Sequence, residues 1–249
     1  MSERIRVGVG GWTFEPWRKN FYPTGLAHSK ELQYASRKLT AIEVNGTFYS
    51  TFQPAIFARW RDETPEGFVF PLKAHRFTTH RRVLGEAGEG IQRFIGSGIE
   101  ELGDKLGPLL WQFMPTKAFV AEDVAAFLRL LPREVRGRPL RHVLDVRHPS
   151  FATEEFLDLL QRHGCTTVYT DSPKFPAIPH ARDALVYLRL MRSEADCATG
   201  YPVDALQPWA QGARKWVGMG ASNEVFIFFI NGAKERAPAA AMRMLELLG

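Results

Sequence analysis

Residues 142–151, HVLDVRHPSF, combine a strand pattern with ionisable side chains. The period-two alternation predicts a short strand, and Pro149 ends it because proline cannot donate a hydrogen bond to a neighbouring strand. Asp145 and Arg147 lie two residues apart and therefore share one face of this strand. A buried charge is costly unless it is paired. The stretch is therefore either a structural ion pair or part of a functional site at a strand end.

Seven other stretches have a similar strand pattern, and most alternate with helical patterns. The eight strand-like runs cover residues 6–10, 41–45, 67–73, 109–113, 142–147, 167–171, 184–190 and 225–230. Alternation of strands and helices predicts a parallel sheet with crossover helices. Eight such units in 249 residues fit an α/β fold of the (β/α)8 TIM-barrel type.

An open, doubly wound sheet is the alternative to the barrel. Gly8, Gly10 and Gly11 form only a GxGG pattern, and no helix follows it directly, so the dinucleotide-binding pattern of such sheets is absent. No linker or low-complexity segment divides the chain. We therefore expect residues 1–249 to form a single TIM-barrel domain.

Helical patterns lie between the strand-like runs. We expect helices over 28–39, with Ser29 as its cap, over Pro54–Glu63, over 90–102 and over 153–163, with Thr153 as its cap. We expect residues 47–51 to form a loop. The aromatic loop at 12–25 is either a plug that seals one end of the core or a stacking surface.

Composition places the chain among ordinary globular proteins. Hydrophobic residues make up 45% and charged residues 24% of the sequence. No apolar run reaches the ~20 residues of a membrane span, and the first residues lack the pattern of a signal peptide. The two cysteines, Cys165 and Cys197, have no metal-binding spacing, so we expect free thiols and a cytoplasmic location. A net charge of +5 favours anionic partners.

The C-terminal ends of all eight strands of a TIM barrel surround one mouth, and the activity of such enzymes lies there. Polar or aromatic side chains capable of binding a ligand occur at or just beyond nearly every predicted strand end. These are Trp12, Glu43, Asn45, Lys73, Gln112, Asp145, Arg147, His148, Asp171, Arg189 and Asn231. Their convergence predicts a functional pocket at the mouth.

The cationic members of this set predict the charge of the substrate. Lys73, Arg147 and Arg189 carry groups that bind phosphate or carboxylate. A basic loop with His80 and several arginines follows Lys73. We therefore expect an anionic small molecule, such as a sugar phosphate, or a nucleic-acid fragment as the partner.

The acidic members, Glu43, Asp145 and Asp171, fit three roles. They could neutralise neighbouring cations, act as general acid and base, or bind a divalent metal such as Mg²⁺ or Mn²⁺. Glu43 and Asp171 are the candidate metal ligands. His148 could transfer protons near neutral pH or hydrogen-bond the adjacent loop, and His80 could either contact substrate or be an inert surface histidine.

Several motifs resemble one known family when taken together. They are Gly10-Gly11-Trp12, ExNxTFY at 43–49, Arg147-His148-Pro149-Ser150, Asp171-Ser172 and VYLRL at 186–190. In this order they resemble the YecE-like family, also called domain of unknown function 72. The resemblance implies a TIM-type barrel in a single domain, and it implies no assigned activity. The sequence departs from the family pattern at Asp145, where glutamate is usual, and at Met191, Gly232 and Ala240, where polar residues are usual. The departures imply a different substrate or a reduced activity.

Three functions fit these observations. The first is an enzyme that hydrolyses an anionic or phosphorylated substrate, with Asp145 or Glu43 as general base, His148 as acid, and Lys73 and Arg147 holding the anion. The second is a non-catalytic nucleic-acid-binding protein. The third is a metal-dependent sugar isomerase or lyase.

Overall fold

A computed structural model describes residues 4–178 and 184–249, and its central feature is a barrel of eight parallel strands. The strands are β1 Ile5–Gly10, β2 Ala41–Glu43, β3 Phe70–Lys73, β4 Leu106–Gln112, β5 His142–Asp145, β6 Thr166–Thr170, β7 Leu185–Leu190 and β8 Glu224–Phe229. Each overlaps one of the predicted runs. The predicted TIM-type barrel is thus confirmed.

The strands follow one another around the barrel in sequence order. The hydrogen-bonded order is β2-β1-β8-β7-β6-β5-β4-β3, and every pairing in it is parallel. Parallel bridges between Ala41 and Val69 and between Val44 and Leu72 join the two ends of this order. The ring is therefore nearly closed, and all eight C-terminal strand ends face the same side.

Helices cover the outside of the barrel. They are α1 Glu31–Ala35, α2 Gly46–Tyr49, α3 Pro54–Glu63, α4 Gly88–Ile95, α5 Ala121–Leu130, α6 Glu154–Arg162, α7 Val203–Gly218 and α8 Ala237–Leu248. A hairpin of Glu134–Val135 with Arg138–Pro139 precedes β5. None of the helices in the described part of the chain is long and apolar enough to cross a membrane.

Two apolar layers form the core. The larger layer lies between the strands and the helices, and a smaller cluster that includes Leu110, Val143 and Phe228 comes from alternate strand positions. Successive side chains of a strand point to opposite faces, so the smaller cluster fills the barrel interior. Gly8 belongs to this interior: a Cβ at Gly8 would lie 1.8 Å from the carbonyl oxygen of Ala41. A residue without a side chain allows β1 and β2 to approach this closely.

The predicted helix over 90–102 is wrong in its second half. Helix α4 ends at Ile95, and a 3₁₀ helix, Ile99–Lys105, follows it. Gly98 between them has φ = 100°, and a Cβ at this position would lie 2.6 Å from Pro54. The helix ends because the left-handed backbone of Gly98 brings the chain against α3.

Other helix boundaries also differ from the predictions. A 3₁₀ turn, His28–Lys30, precedes a short α1, and Ser29 caps neither of them. Residues predicted as a loop contain α2, whose Thr47 hydroxyl donates to the carbonyl oxygen of Lys73 at 2.7 Å. The Thr153 cap is confirmed, since its hydroxyl accepts the Phe156 amide at 3.3 Å.

The aromatic loop after β1 mainly forms a plug. Trp17, Phe21 and Tyr22 are buried in the core, and the Trp17 indole donates to the carbonyl oxygen of Lys234 at 2.8 Å. This bond closes the gap between the chain after β1 and the chain after β8. Within the described part of the chain, Cys165 and Cys197 form no disulfide bond.

Candidate functional site

Six strands carry a buried polar side chain at or next to their C-terminal end. These residues are Glu43, Lys73, Gln112, Asp145, Thr170 and Arg189. Glu43 follows Ala41 by two residues, and Arg189 follows Tyr187 by two residues, so each points to the same side of its strand as an apolar interior residue. Glu43 and Arg189 therefore lie directly above the barrel interior. The described part of the chain thus carries a polar layer over an apolar core.

Arg189 lies at the centre of this layer. Its Nη1 donates to Oδ2 of Asp145 at 2.6 Å, and its Nη2 donates to Oε1 of Glu43 at 3.0 Å. Burial alone would lower the pKa of Arg189, but the two carboxylates outweigh burial and raise that pKa above its ordinary value. Arg189 is 2% exposed. It lies too deep to meet a ligand as the structure stands, and it positions both carboxylates.

Both carboxylate oxygens of Glu43 accept hydrogen bonds from the protein, and neither is exposed to a ligand. Its second oxygen, Oε2, accepts a hydrogen bond from the Tyr187 hydroxyl at 2.8 Å, and the residue is 0% exposed. Burial, followed by the charge of Glu43, raises the pKa of Tyr187 well above its ordinary value. Tyr187 therefore stays a neutral donor.

Arg147 extends the cluster towards solvent. Although β5 ends at Asp145, Nη2 of Arg147 donates to Oδ2 of Asp145 at 3.1 Å and to Oε1 of Gln112 at 2.8 Å. The Phe175 ring lies 4.5 Å from the guanidinium carbon, a cation–π distance. The Arg147 side chain is 13% exposed. Among the described residues, no hydrogen bond uses its Nη1, and none uses Oδ1 of Asp145.

Lys73 lies beside this cluster. Its Nζ is 3.9 Å from the centre of the Phe48 ring. The pKa of Lys73 is lowered to about 8, mainly by burial. The charges of Arg189 and Arg147 also lower it, while Glu43 and Asp145 raise it. With Lys73 protonated, three cations face two carboxylates, so the cluster carries a charge of +1.

His148 caps the turn that follows β5. Its Nδ1 lies 2.8 Å from the Ser150 hydroxyl and accepts the Ser150 amide at 3.3 Å. The Ser150 hydroxyl in turn accepts the Phe119 amide at 2.8 Å. The loop-bonding role expected for His148 is therefore present, and proton transfer would have to use its Nε2.

Asp171 joins the end of β6 to the chain after β7. Its Oδ1 accepts the Met191 amide, and its Oδ2 accepts the Tyr201 hydroxyl at 2.9 Å. Burial raises the pKa of Asp171, partly opposed by these hydrogen bonds. The structure does not connect Asp171 with Glu43 by any described contact.

The candidate metal pair, Glu43 and Asp171, does not fit a metal ion in this arrangement. All four carboxylate oxygens already accept protein hydrogen bonds. Residues 4–178 and 184–249 contain no group of three or more His, Cys, Asp or Glu side chains that could hold a metal. A divalent ion such as Mg²⁺ or Mn²⁺ would have to displace the donors that position these carboxylates.

The other predicted residues lie around the buried cluster. Trp12 packs edge-on against Trp60 at 5.1 Å and, with Asn45, lines a cavity of about 320 Å³. The exposed His80 ring lies 5.2 Å from Phe48. Burial, followed by the charge of Lys73, lowers the pKa of His80.

The chain after β8 contains two of the departures from the family pattern, Gly232 and Ala240. Asn231 is exposed with φ = 63°, and Gly232 follows with φ = 59°. A Cβ at Gly232 would lie 2.7 Å from the carbonyl oxygen of Ser193, which requires glycine. Ala240 is fully buried in α8 and therefore packs in the core.

Sequence analysis missed three aromatic residues of the site. Tyr187 lies two residues before Arg189 in β7, so the period-two rule could have placed its hydroxyl on the same face of the strand as Arg189. Phe48, which covers Lys73, belongs to the unpredicted α2. Phe175, which stacks on Arg147, lies in a loop where no pattern indicates its position.

Comparison with known proteins identifies related sequences. A sequence model of the family described as "Protein of unknown function DUF72" matches residues 6–249. UPF0759 protein YecE of Escherichia coli K12 is 28% identical over 192 residues, which cover 72% of this chain and 65% of YecE. UPF0759 protein YunF of Bacillus subtilis 168 is 28% identical over 179 residues, which cover 68% of this chain and 61% of YunF. The match therefore spans less than two thirds of either relative.

Solved structures share the fold. A DUF72 family protein from Thermotoga maritima MSB8 has a TM-score of 0.78 and 25% identity, with 98% of each chain covered. One from Enterococcus faecalis V583 has a TM-score of 0.75 and 20% identity, covering 98% of this chain and 97% of the other. SacUVDE has a TM-score of 0.62 and 11% identity, covering 98% of this chain and 99% of the other. The last two likenesses concern the fold alone.

Proposed function

The chain belongs to the DUF72 family of proteins of unknown function, and from this premise we propose that it is an enzyme that binds an anionic, phosphorylated substrate at the C-terminal mouth of the barrel and hydrolyses it. Active sites of TIM-barrel enzymes lie at this end. The likeness between folds does not establish a reaction. The proposal therefore depends on the chemistry of the buried cluster.

One observation carries the proposal: the outermost group of a positively charged cluster is a fixed guanidinium with a free edge. Asp145, Gln112 and Phe175 hold Arg147 in place. Nη1 of Arg147 makes no hydrogen bond within the described residues. A positioned guanidinium binds phosphate through charge-assisted hydrogen bonds. Lys73 would add a second positive charge.

The cluster also offers a general base. Oδ1 of Asp145 accepts no hydrogen bond from the described residues, while Arg189 and Arg147 fix the other oxygen. In the proposed hydrolysis, Oδ1 takes a proton from the attacking water, and Nε2 of His148 protonates the leaving group. Glu43, the other candidate base, acts as a positioning residue because both of its oxygens are occupied.

We expect Arg147→Gln to weaken phosphate binding by about 10- to 100-fold, because hydrogen bonds to charged groups contribute about 1.5–3 kcal/mol. The measurement is isothermal titration of the purified chain with inorganic phosphate and with phenyl phosphate at low salt. Arg129→Gln is the matched control, since Arg129 is exposed in the last turn of α5. Equal binding by wild type and Arg147→Gln, or no binding by the wild type, would contradict the proposal.

A specific surface favours a nucleic-acid fragment as the second candidate partner. Tyr49 is 63% exposed and Phe77 is 61% exposed, and the Arg76 guanidinium lies 5.5 Å from the Phe77 ring. Exposed aromatic rings beside cations stack on bases and contact phosphates. Arg81 contributes less, because its guanidinium donates to the carbonyl oxygens of Phe77 and Glu86.

Salt dependence tests this second candidate. If it is correct, affinity for a single-stranded oligo(dT) should fall steeply with salt, with a log–log slope of about −0.7 for each phosphate contacted. The double substitution Phe77→Ala and Arg76→Gln should weaken this binding, and Arg129→Gln should not. Binding that does not change with salt, or that survives the double substitution, would argue against this surface.

A further inference from the structure

The backbone of Lys73 is hydrogen-bonded on both sides, but its amine has no hydrogen-bond partner in the part of the chain that the structure describes. The Lys73 amide donates to the carbonyl oxygen of Val44 at 3.1 Å, and its carbonyl oxygen accepts the Thr47 hydroxyl at 2.7 Å. Its side chain is buried against Phe48. Among the described residues, no hydrogen bond uses Nζ. The atom itself retains contact with solvent, because it is not one of the fully buried side-chain atoms that lack a partner, and a ligand in the mouth could therefore reach it.

The surroundings of the Lys73 amine favour its neutral form more strongly than the surroundings of an exposed lysine do. Burial lowers its pKa to about 8. The charged groups that face it are Arg189 from β7, Glu43 from β2, Asp145 and Arg147 from β5 and the chain after it, and His80 from the loop after β3. The Phe48 ring opposes deprotonation, since it stabilises a cation. A substantial fraction of the amine is nevertheless neutral slightly above neutral pH.

Other lysines of the chain have different surroundings. Lys105 donates to the carbonyl oxygen of Thr64 at 2.6 Å, and Lys117 pairs with Asp123 at 2.5 Å. Lys234 also has a pKa lowered by burial, and its Nζ lies 4.4 Å from the Phe14 ring, but no arginine contributes to its shift. Lys73 therefore combines a lowered pKa with a neighbouring anion site.

We propose that the Lys73 amine is a nucleophile that captures the carbonyl carbon of an anionic aldehyde or ketone as a Schiff base while Arg147 holds the anion of that substrate. This inference rests on the proposed function, because it uses the same anion site. It adds a further activity, carbonyl capture, and it narrows the substrate class to compounds with both a carbonyl and a phosphate or carboxylate group. Anion binding alone needs only Arg147.

The capture balances without any other reactant. The Nζ lone pair forms a bond to the carbonyl carbon, and the carbonyl π electrons move to its oxygen. Two protons move from nitrogen to that oxygen, which leaves as water, and a C=N bond remains. Oδ1 of Asp145 is a candidate acceptor for the first of these protons.

The test uses the full chain with D-glyceraldehyde 3-phosphate and sodium cyanoborohydride, which supplies hydride to the C=N bond and makes the adduct permanent. We expect mass spectrometry with peptide mapping to find one rapidly formed adduct, on Lys73. D-glyceraldehyde, which lacks the phosphate, should react at least about tenfold more slowly than the phosphorylated aldehyde, because it loses one charge-assisted contact. The labelling rate should rise with pH around a midpoint of about 8, because only the neutral amine attacks.

Two variants and one internal control complete the test. Lys73→Met should remove the fast adduct, and Arg147→Gln should remove the preference for the phosphorylated aldehyde. Lys234 should label slowly and without that preference. The wild-type peptide map does not depend on whether either variant folds.

The outcomes separate the two proposals. If phosphate binds at Arg147 but Lys73 is not labelled faster than Lys234, the Schiff-base proposal is wrong and the anion site stands. If Lys73 is labelled but neither phosphate binding nor a phosphate preference is found, the anion site is wrong, and both proposals fail as stated.

Discussion

Replacing Arg189 with methionine should lower the free energy of unfolding by about 3–5 kcal/mol, because the substitution leaves buried carboxylates without their partner. Glu43 would keep only the Tyr187 hydroxyl, and Asp145 would keep only Arg147. Methionine fills much of the volume of arginine, so the loss is electrostatic rather than a cavity. Urea unfolding at pH 7 measures the change.

The pH dependence distinguishes this cause from a packing defect. In the variant, a buried carboxylate that has lost its cationic partner favours its neutral, protonated form. The folded variant then binds more protons than the unfolded chain, so its stability increases as pH falls. The difference from wild type should shrink between pH 7 and pH 5.

Arg243→Met is the control for Arg189→Met, since Arg243 pairs with Glu246 on the surface at 2.6 Å. Its cost should be below about 1 kcal/mol. A variant at Arg189 that is as stable as wild type, or a difference that does not change with pH, would show that the buried ion pairs do not stabilise the barrel. If methionine prevents folding at pH 7, the variant is refolded at pH 5, and its urea unfolding there is compared with that of the wild type.

Replacing Asp145 with asparagine should lower the turnover of a hydrolysed phosphoester by about 10²–10⁴-fold, the usual contribution of a general base. Asparagine keeps an oxygen that accepts from Arg189 and Arg147 but cannot take a proton from water. The fold should survive, because Arg189 retains Glu43 as a partner at 3.0 Å.

The assay for Asp145→Asn uses p-nitrophenyl phosphate and bis(p-nitrophenyl) phosphate, with thermal unfolding measured in parallel. Asp104→Asn is the control, because the Asp104 side chain is 98% exposed. A folded Asp145→Asn variant with wild-type turnover would exclude Asp145 as the base. Loss of the folded state would indicate a structural ion pair. If the wild type binds phosphate but hydrolyses neither ester, the proposal that it hydrolyses such phosphoesters is wrong, while the proposed anion site stands.

The sequence predicted where the polar side chains gather, but not how they pair. Parallel strands of a closed barrel present their C-terminal ends at one side, so Glu43, Lys73, Asp145 and Arg189 could be brought together from their positions alone. Which cation meets which carboxylate depends on strand register and side-chain direction across the barrel. The pairing of Arg189 with Glu43 joins β7 to β2, which are not adjacent strands.

Helix ends and loops were predicted less well because their conformations depend on distant contacts. The helix predicted over 90–102 is interrupted at Gly98, where the chain packs against Pro54. Phe175 is placed on Arg147 by a loop with no periodic pattern. The local sequence contains no signal for either contact.

The sequence by itself determined the barrel and the charge type at its mouth, because period-two strands, their alternation with helices and the position of each polar strand end are local properties of the chain. Only the tertiary structure decided which of these groups are available. Burial and cross-barrel hydrogen bonds enclose Glu43 and Arg189. Lys73, Arg147 and one oxygen of Asp145 keep bonding capacity that no residue within 4–178 or 184–249 uses. Availability depends on distances between strands that are far apart in the chain, and a linear sequence does not contain those distances.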